Sequence, residues 1–274
     1  MSMVKFGRRK DKQERRPRDP EGRMTLREHI VELRNRLLIS VLAIVVCTVA
    51  AWFVYNHALA ILKDPFETAV RPIAESRGLK PQLTFQGVGD PLTFKLKVSA
   101  LLGLVAAGPI WLYQLWAFIA PGLHRSEKKW AYLFAAIATP LFATGIALGY
   151  WTLPKGISIL LGFTPDQVQN LVELGKYLDF VIRTLLVFGI AFLIPLVVVL
   201  LNMVGVVPAS ALGKFRPYII LVIFVFAAVA TPSGDPFTMC LLAIPMTVLF
   251  LASEVIARLN DRRRARRNEE LLAD

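Results

Sequence analysis

The sequence predicts an all-α integral membrane protein, six transmembrane helices in a bent, cup-like bundle with both termini on the cytoplasmic side. Three observations predict it. First, 55% of the 274 residues are hydrophobic and only 19% charged, and a mean hydropathy of +0.53 is high for a water-soluble domain. Second, six apolar runs reach or approach the roughly 20 residues that cross about 30 Å of hydrocarbon. Third, much of the formal net charge of +12 sits at the ends: residues 1–36 hold twelve Lys/Arg against six Asp/Glu, and residues 257–274 six against four. A pI near 10.0 would otherwise suggest nucleic acid. Basic ends on an apolar body instead fit a membrane protein with cytoplasmic tails.

The elements follow in order. Residues 1–23 read as a disordered basic tail. Its Arg8-Arg9 pair has no apolar stretch directly behind it and is no export signal. Thr25 and Glu28 form a capping box, starting a helix that runs into the first span, Leu37–Tyr55. That span is too long for a cleavable signal peptide, lacks a small-x-small site after it, and precedes five more. Leu59, Leu62, Phe66, Val70 and Ile73 then recur at helical spacing, a stripe suited to lying on the membrane surface or capping the spans. Val98–Ile119 and Ala131–Leu153 are the second and third spans. Thr164-Pro165-Asp166-Gln167 reads as an N-cap, a Pro at N1 and a capping-box Gln, with Val168, Leu171, Leu174 and Leu178 on one face of the helix that follows. Phe180–Val204 is the fourth span. The fifth and sixth, Pro217–Ala230 and Phe237–Ala252, reach only about 21 and 24 Å at roughly 1.5 Å per residue. They predict local bilayer thinning unless flanking residues complete them. The membrane domain is thus residues 24–256, and 257–274 form a cytoplasmic tail of mixed charge. Pro109, Pro140, Pro195 and Pro245 each remove a backbone donor inside a span, which favours a cupped body over a straight bundle.

Orientation follows from basic residues. With the N-terminus inside, inner segments carry 23 Lys/Arg and outer ones nine, counting Arg183 at the start of span four. The excess places both termini in the cytoplasm.

Catalytic signatures are missing: no H-E-x-x-H, no G-x-S-x-G, no Walker A loop and no mid-span Asp pair. Cys47 and Cys240 lie in apolar runs, and His29, His57 and His124 are far apart, so neither metal nor cofactor is expected. A small-solute permease is the alternative, yet such proteins usually bury ionisable groups near the midplane, and these spans are almost free of charge there. A passive membrane anchor for other subunits is a third possibility; it predicts that Glu32 and Glu127, at the inner face, are dispensable.

The informative polar residues lie at the inner ends of the spans. Glu28, Glu32 and Arg36 share one helical face at i, i+4, i+8. The local account is a solvated ion pair worth about 0.3–0.5 kcal/mol. The functional account pairs Glu32 with Glu127, the only acid in Pro121-Gly-Leu-His-Arg-Ser-Glu-Lys-Lys129. Two carboxylates on an otherwise basic surface suit a pair of guanidinium groups, because Arg offers a planar, two-pronged donor and Lys a point charge.

Five stretches stand out together: His29-Ile-Val-Glu-Leu-Arg-Asn-Arg-Leu37, Pro109-Ile-Trp-Leu-Tyr-Gln-Leu-Trp-Ala-Phe-Ile-Ala-Pro-Gly-Leu123 with Glu127 behind it, Lys214-Phe-Arg-Pro-Tyr218, Thr231-Pro232 with Asp235, and Leu241-Leu-Ala-Ile-Pro245. In this order they resemble the TatC family, the multispanning subunit of the twin-arginine protein translocase. The resemblance covers about residues 24–258. It implies a receptor that binds twin-arginine signal peptides of folded precursors at the cytoplasmic face, with Glu32 and Glu127 as the binding acids. His29, Leu33, Arg34, Pro65, Lys97, Pro109, Gln114, Phe118, Leu123 and Asp235 match further family positions. Single-span TatA- and TatB-type subunits are the implied partners, in a bacterial cytoplasmic membrane, and the proton-motive force the implied energy source. Two departures concern partner contacts. Leu193 stands where the family often carries Glu or Gln before the span-four proline. Met239 follows a slightly long Thr231–Asp235 segment where a polar residue is expected; Thr231 itself is kept, so a partner groove at span five is implied.

Overall fold

The computed structural model describes residues 26–77, 81–119, 128–165, 168, 171–231 and 235–273. Eight helices and two short strands follow one another: α1 (Leu26–Phe53), α2 (Tyr55–Arg77), β1 (Gln82–Thr84), α3 (Asp90–Ala106), α4 (Gly108–Ile119), α5 (Lys128–Gly162), β2 (Leu171–Glu173), α6 (Leu174–Val204), α7 (Ala209–Ala230) and α8 (Pro236–Ala273). Five of these, α1, α5, α6, α7 and α8, are long and apolar enough to cross a membrane, and α3 with α4 makes a sixth candidate. Connectivity gives the bundle two ends. The start of α1, the end of α4, the α6–α7 turn and the end of α8 lie at one, termed proximal here. The α1–α2 junction, the start of α3, the start of α6 and the α7–α8 junction lie at the other, the distal end.

The second span differs from expectation. It begins eight residues earlier and is two helices, bent by 57° at Ala107. Pro109 is the second residue of α4, where its missing N–H costs nothing. The bend frees the Leu104 carbonyl, and the Trp111 indole N–H donates to it at 3.0 Å. Pro140, Pro195 and Pro245, by contrast, sit inside α5, α6 and α8 without interrupting them.

The apolar stripe of the first outer segment is helical, as expected, but turns inward. Leu62 and Phe66 are buried, and Leu59, Val70 and Ile73 pack on the same cluster with α3, α5 and α6. So α2 caps the spans. Pro65 would leave the Ile61 carbonyl without its helical donor. The Tyr150 hydroxyl donates to that carbonyl at 2.8 Å, and the Tyr177 hydroxyl donates to the next one, Leu62, at 2.6 Å.

Among the described residues the helix expected from Thr164 onward begins only at Leu174, the start of α6. Leu171–Glu173 is a strand, paired in parallel with Gln82–Thr84 in the register Gln82↔Leu171 and Thr84↔Glu173. Asp166 and Gln167 lie outside the described residues, and Val168 donates only a turn bond to the Pro165 carbonyl. The local cap signal loses to a non-local partner strand, as β-structure depends on its neighbours more than on propensity.

The short hairpin is also longer than its apolar runs. α7 spans 22 residues and α8 38, so α7 alone measures about 33 Å at roughly 1.5 Å per residue. Flanking residues complete both spans, which removes the motive for local thinning. The sequence beyond 256 continues α8, and it remains packed at first: Ala257 is fully buried. Asp261 accepts hydrogen bonds from the Ala209 backbone N–H at 2.7 Å and from Asn202 Nδ2 at 3.0 Å. It caps the start of α7 from another helix, where Pro208 has no side-chain acceptor to offer. Gly205 closes α6 at φ 86°, a left-handed conformation that glycine adopts without strain.

Candidate functional site

At the proximal end α1 meets α4. Arg36, one helical turn after Glu32, donates from Nε at 2.9 Å and from Nη2 at 2.6 Å, both to Glu32 Oε1. Its Nη1 donates to Gln114 Oε1 on α4 at 3.3 Å. The guanidinium fork therefore converges on a single carboxylate oxygen. The other, Oε2, is shielded from solvent and has no hydrogen-bond partner among the described residues. Leaving a charged acceptor unpaired is costly, so the site is poised for a donor from outside. One turn before, the His29 ring stacks on Phe118 of α4, centroids 4.5 Å apart and planes 19° from parallel. Tyr113 of α4 stacks on Tyr132 of α5 at 4.8 Å. The stacked His29 and Phe118 form an aromatic floor about one helical turn from this half-satisfied carboxylate.

Glu32, His29, Gln114 and Phe118 come together; the remaining family-matched positions do not join them. Leu33 and Arg34 are exposed on α1. Glu127 and Leu123 lie outside the described residues. Pro109 is exposed at the start of α4. At the distal end Pro65 is buried in α2, and Lys97 of α3 binds Asp179 of α6 at 2.7 Å. Asp235 accepts from the Thr238 backbone N–H at 2.7 Å and caps α8. Thr231 is buried, its hydroxyl donating back to the Ala227 carbonyl at 2.8 Å. Met239 packs half-buried beside Phe188 and Leu242. Leu193 is buried in a cluster with Leu112, Trp116 and Phe134, so its side chain faces the protein's own core.

A second polar centre lies between α7 and α8. Glu254 of α8 is 3% exposed and does not reach outward; Arg216 of α7 donates to both its oxygens, at 2.9 and 2.7 Å, and Arg258 donates to Oε1 at 2.6 Å. The available signal was that Glu254 is the only acid between Pro236 and Ala257, so a partner was required.

Over residues 28–245 the chain matches the family model described as Sec-independent protein translocase protein (TatC). The chain belongs to the TatC family. It is 41% identical over 245 residues to the Sec-independent protein translocase protein TatC of Xylanimonas cellulosilytica, covering 89% of this chain and 87% of that one. To the TatC of Frankia casuarinae it is 40% identical over 257 residues, covering 91% of this chain and 70% of the relative. A crystal structure of the twin arginine translocase receptor TatC in the detergent DDM superposes with a TM-score of 0.68 at 33% identity, over 84% of this chain and 99% of that chain. This TatC-family chain is therefore a multi-pass membrane component of a Sec-independent protein translocase. The matched region contains Glu32, Gln114, Glu127 and Asp235, and ends before Glu254 and Asp261.

Proposed function

We propose that this chain is the receptor of its translocase: it binds the twin-arginine signal peptide of folded precursors at its proximal end, through Glu32 and Glu127. The observation that carries this is the Glu32 carboxylate, which offers an unpartnered oxygen beside the aromatic floor of His29 and Phe118. A second arginine would meet Glu127. The role is one of transport, without a catalytic step, powered by the proton-motive force. The proximal end faces the cytoplasm of a bacterial cell; the 23-to-9 bias of Lys/Arg supports that orientation. Single-span TatA- and TatB-type subunits dock along α7 near Thr231 and Met239. Leu221, Val222, Val225 and Val229 leave an apolar lipid-facing surface there, whereas Leu193 is already occupied inside.

The small-solute permease is disfavoured. Among the described residues the buried carboxylates are Asp235 and Glu254; Asp235 precedes α8 at the distal end and Glu254 lies about one turn before the proximal hydrocarbon boundary, so neither sits at a midplane site.

Cross-linking tests the receptor assignment. A photoreactive group at Leu33 is expected to label an Arg-Arg precursor in membranes and to lose that label with a Lys-Lys precursor; equal labelling of both would remove the assignment. Orientation has its own test. Reporter fusions at Ser76, Gln167 and Gly234 are expected to report outside, and those at Ser126, Ser210 and Asn268 inside. An inside signal from Gln167 would break the six-span arrangement.

A further inference from the structure

We propose that the proximal extension of α8 is a docking site for anionic phospholipid headgroups, built on Arg262, Arg263 and Arg266. The inference starts from where the membrane ends. Among the described side chains of α8, Val255, Ile256 and Leu259 are the last large apolar ones that are exposed, so the hydrocarbon boundary lies near Leu259. Arg262 to Arg266 follow three to seven residues later, about 4 to 11 Å further at roughly 1.5 Å per residue. The headgroup layer on each side is about 5–8 Å deep. These arginines therefore sit at phosphate depth or just above it.

Among the described residues nothing compensates their charge. Arg258, Arg262 and Arg266 recur every fourth residue on one face of α8, and like charges at that spacing repel. Arg258 is neutralised by Glu254. Of the other acids on α8, Asp261 is spent on Ala209 N–H and Asn202, and the exposed Glu269 and Glu270, one turn beyond Arg266, form no ion pair with it. Arg262, Arg263 and Arg266 are exposed, and among the described residues no carboxylate pairs with them. An external anion would relieve the repulsion. A guanidinium fork fits the paired oxygens of a phosphodiester better than an ammonium does, and arginine supplies every basic residue of this stretch.

The helix is also held in place rather than left free. Asp261 and Asn260 bind Asn202 in the last turn of α6, and Arg264 packs over Gly205, where a Cβ would come within 2.9 Å of its Nη1. This lock fixes the height of the neighbouring arginines over the bilayer, so little ordering is required when a headgroup binds. Juxtamembrane arginine clusters of this kind bind anionic lipid through each charge in turn.

The experiment is native mass spectrometry of the full-length, delipidated protein titrated with phosphatidylglycerol or phosphatidylcholine. Wild type is expected to retain phosphatidylglycerol selectively. The triple variant Arg262→Gln/Arg263→Gln/Arg266→Gln is expected to lose about a hundredfold in phosphatidylglycerol affinity, at about fivefold per arginine. A Lys triple at the same positions should recover the charge-driven part but not all of it. Thermal unfolding of each variant checks the fold; among the described residues the three side chains make no ion pair that their loss could remove. Equal retention of both lipids by wild type, or undiminished phosphatidylglycerol binding by the Gln triple, overturns the proposal. So does a short acidic peptide that displaces bound phosphatidylglycerol at equimolar concentration, which would assign the surface to an acidic protein segment instead.

Discussion

Glu32→Ala is expected to weaken binding of a twin-arginine signal peptide by about one to two decades. The size follows from losing a charge-assisted hydrogen bond of roughly 1.5–3 kcal/mol at a partly desolvated rim, at about 1.4 kcal/mol per decade. Glu32→Gln should lose nearly as much, because the shape is kept and the charge is not. Arg36→Ala separates recognition from local pairing. If Glu32 serves only its own helix, both alanine variants lose the same i, i+4 pair, worth about 0.3–0.5 kcal/mol, and peptide affinity hardly moves in either. If Glu32 receives the peptide, removing Arg36 releases Oε1, which now takes both Arg36 bonds, and the two alanine variants diverge. Glu127→Ala should match Glu32→Ala. Affinities of these variants for Arg-Arg and Lys-Lys signals decide between the accounts; wild-type affinity in both Glu→Ala variants would end the receptor assignment of these residues. Insertion and abundance should be unchanged, since Glu32 is part-exposed and packs in no core cluster.

What the sequence made legible was what depends on long apolar runs and on local spacing. Runs in α1, α5 and α6 marked their spans, and the stripe from Leu59 to Ile73 marked α2 as an amphipathic helix. Spacing could not say what that stripe would face, because a membrane surface and a core of α3, α5 and α6 are equally apolar. The strand Leu171–Glu173 was hidden for a related reason: its partner, Gln82–Thr84, lies about ninety residues earlier, while the capping pattern beside it is local and visible. Span ends were misjudged where charge begins. Lys214 and Arg216 cut the fifth apolar run short, yet α7 starts at Ala209, because Arg216 lies against Glu254 rather than in lipid. At the candidate site, the i, i+4 geometry of Glu32 and Arg36 could be read directly. The convergence of Arg36 on one oxygen, and its reach to Gln114, depend on how α1 leans on α4, which no local pattern encodes.

That lean rests on one crossing, and Gly103→Leu is expected to destroy it. Of the described side chains on α1 only Ala51 is buried, so the helix is held by close approach more than by a packed face. At Gly103 of α3 the α1 backbone comes nearest. A Cβ there would lie 2.6 Å from the Thr48 nitrogen and 2.7 Å from its Cα, and closer still to its hydroxyl. Small residues at such crossings let membrane helices approach without a hydrophobic driving force. The obstacle is backbone, so trimming Thr48 cannot relieve it. Gly103→Ala must push α1 away by about 1 Å to restore ordinary van der Waals contact. Overpacking of this kind costs about 1–3 kcal/mol, several degrees in melting temperature, and Thr48→Ala should not rescue it. Gly103→Leu exceeds what a shift can absorb; it should separate α1 from α3, carry Glu32 and Arg36 away from Gln114, and abolish export. The same variants report on the site itself. Gly103→Ala should lower signal-peptide affinity through displaced Glu32 even where the protein remains folded and abundant. Wild-type stability and export in Gly103→Leu would show that α1 is positioned by something other than this crossing.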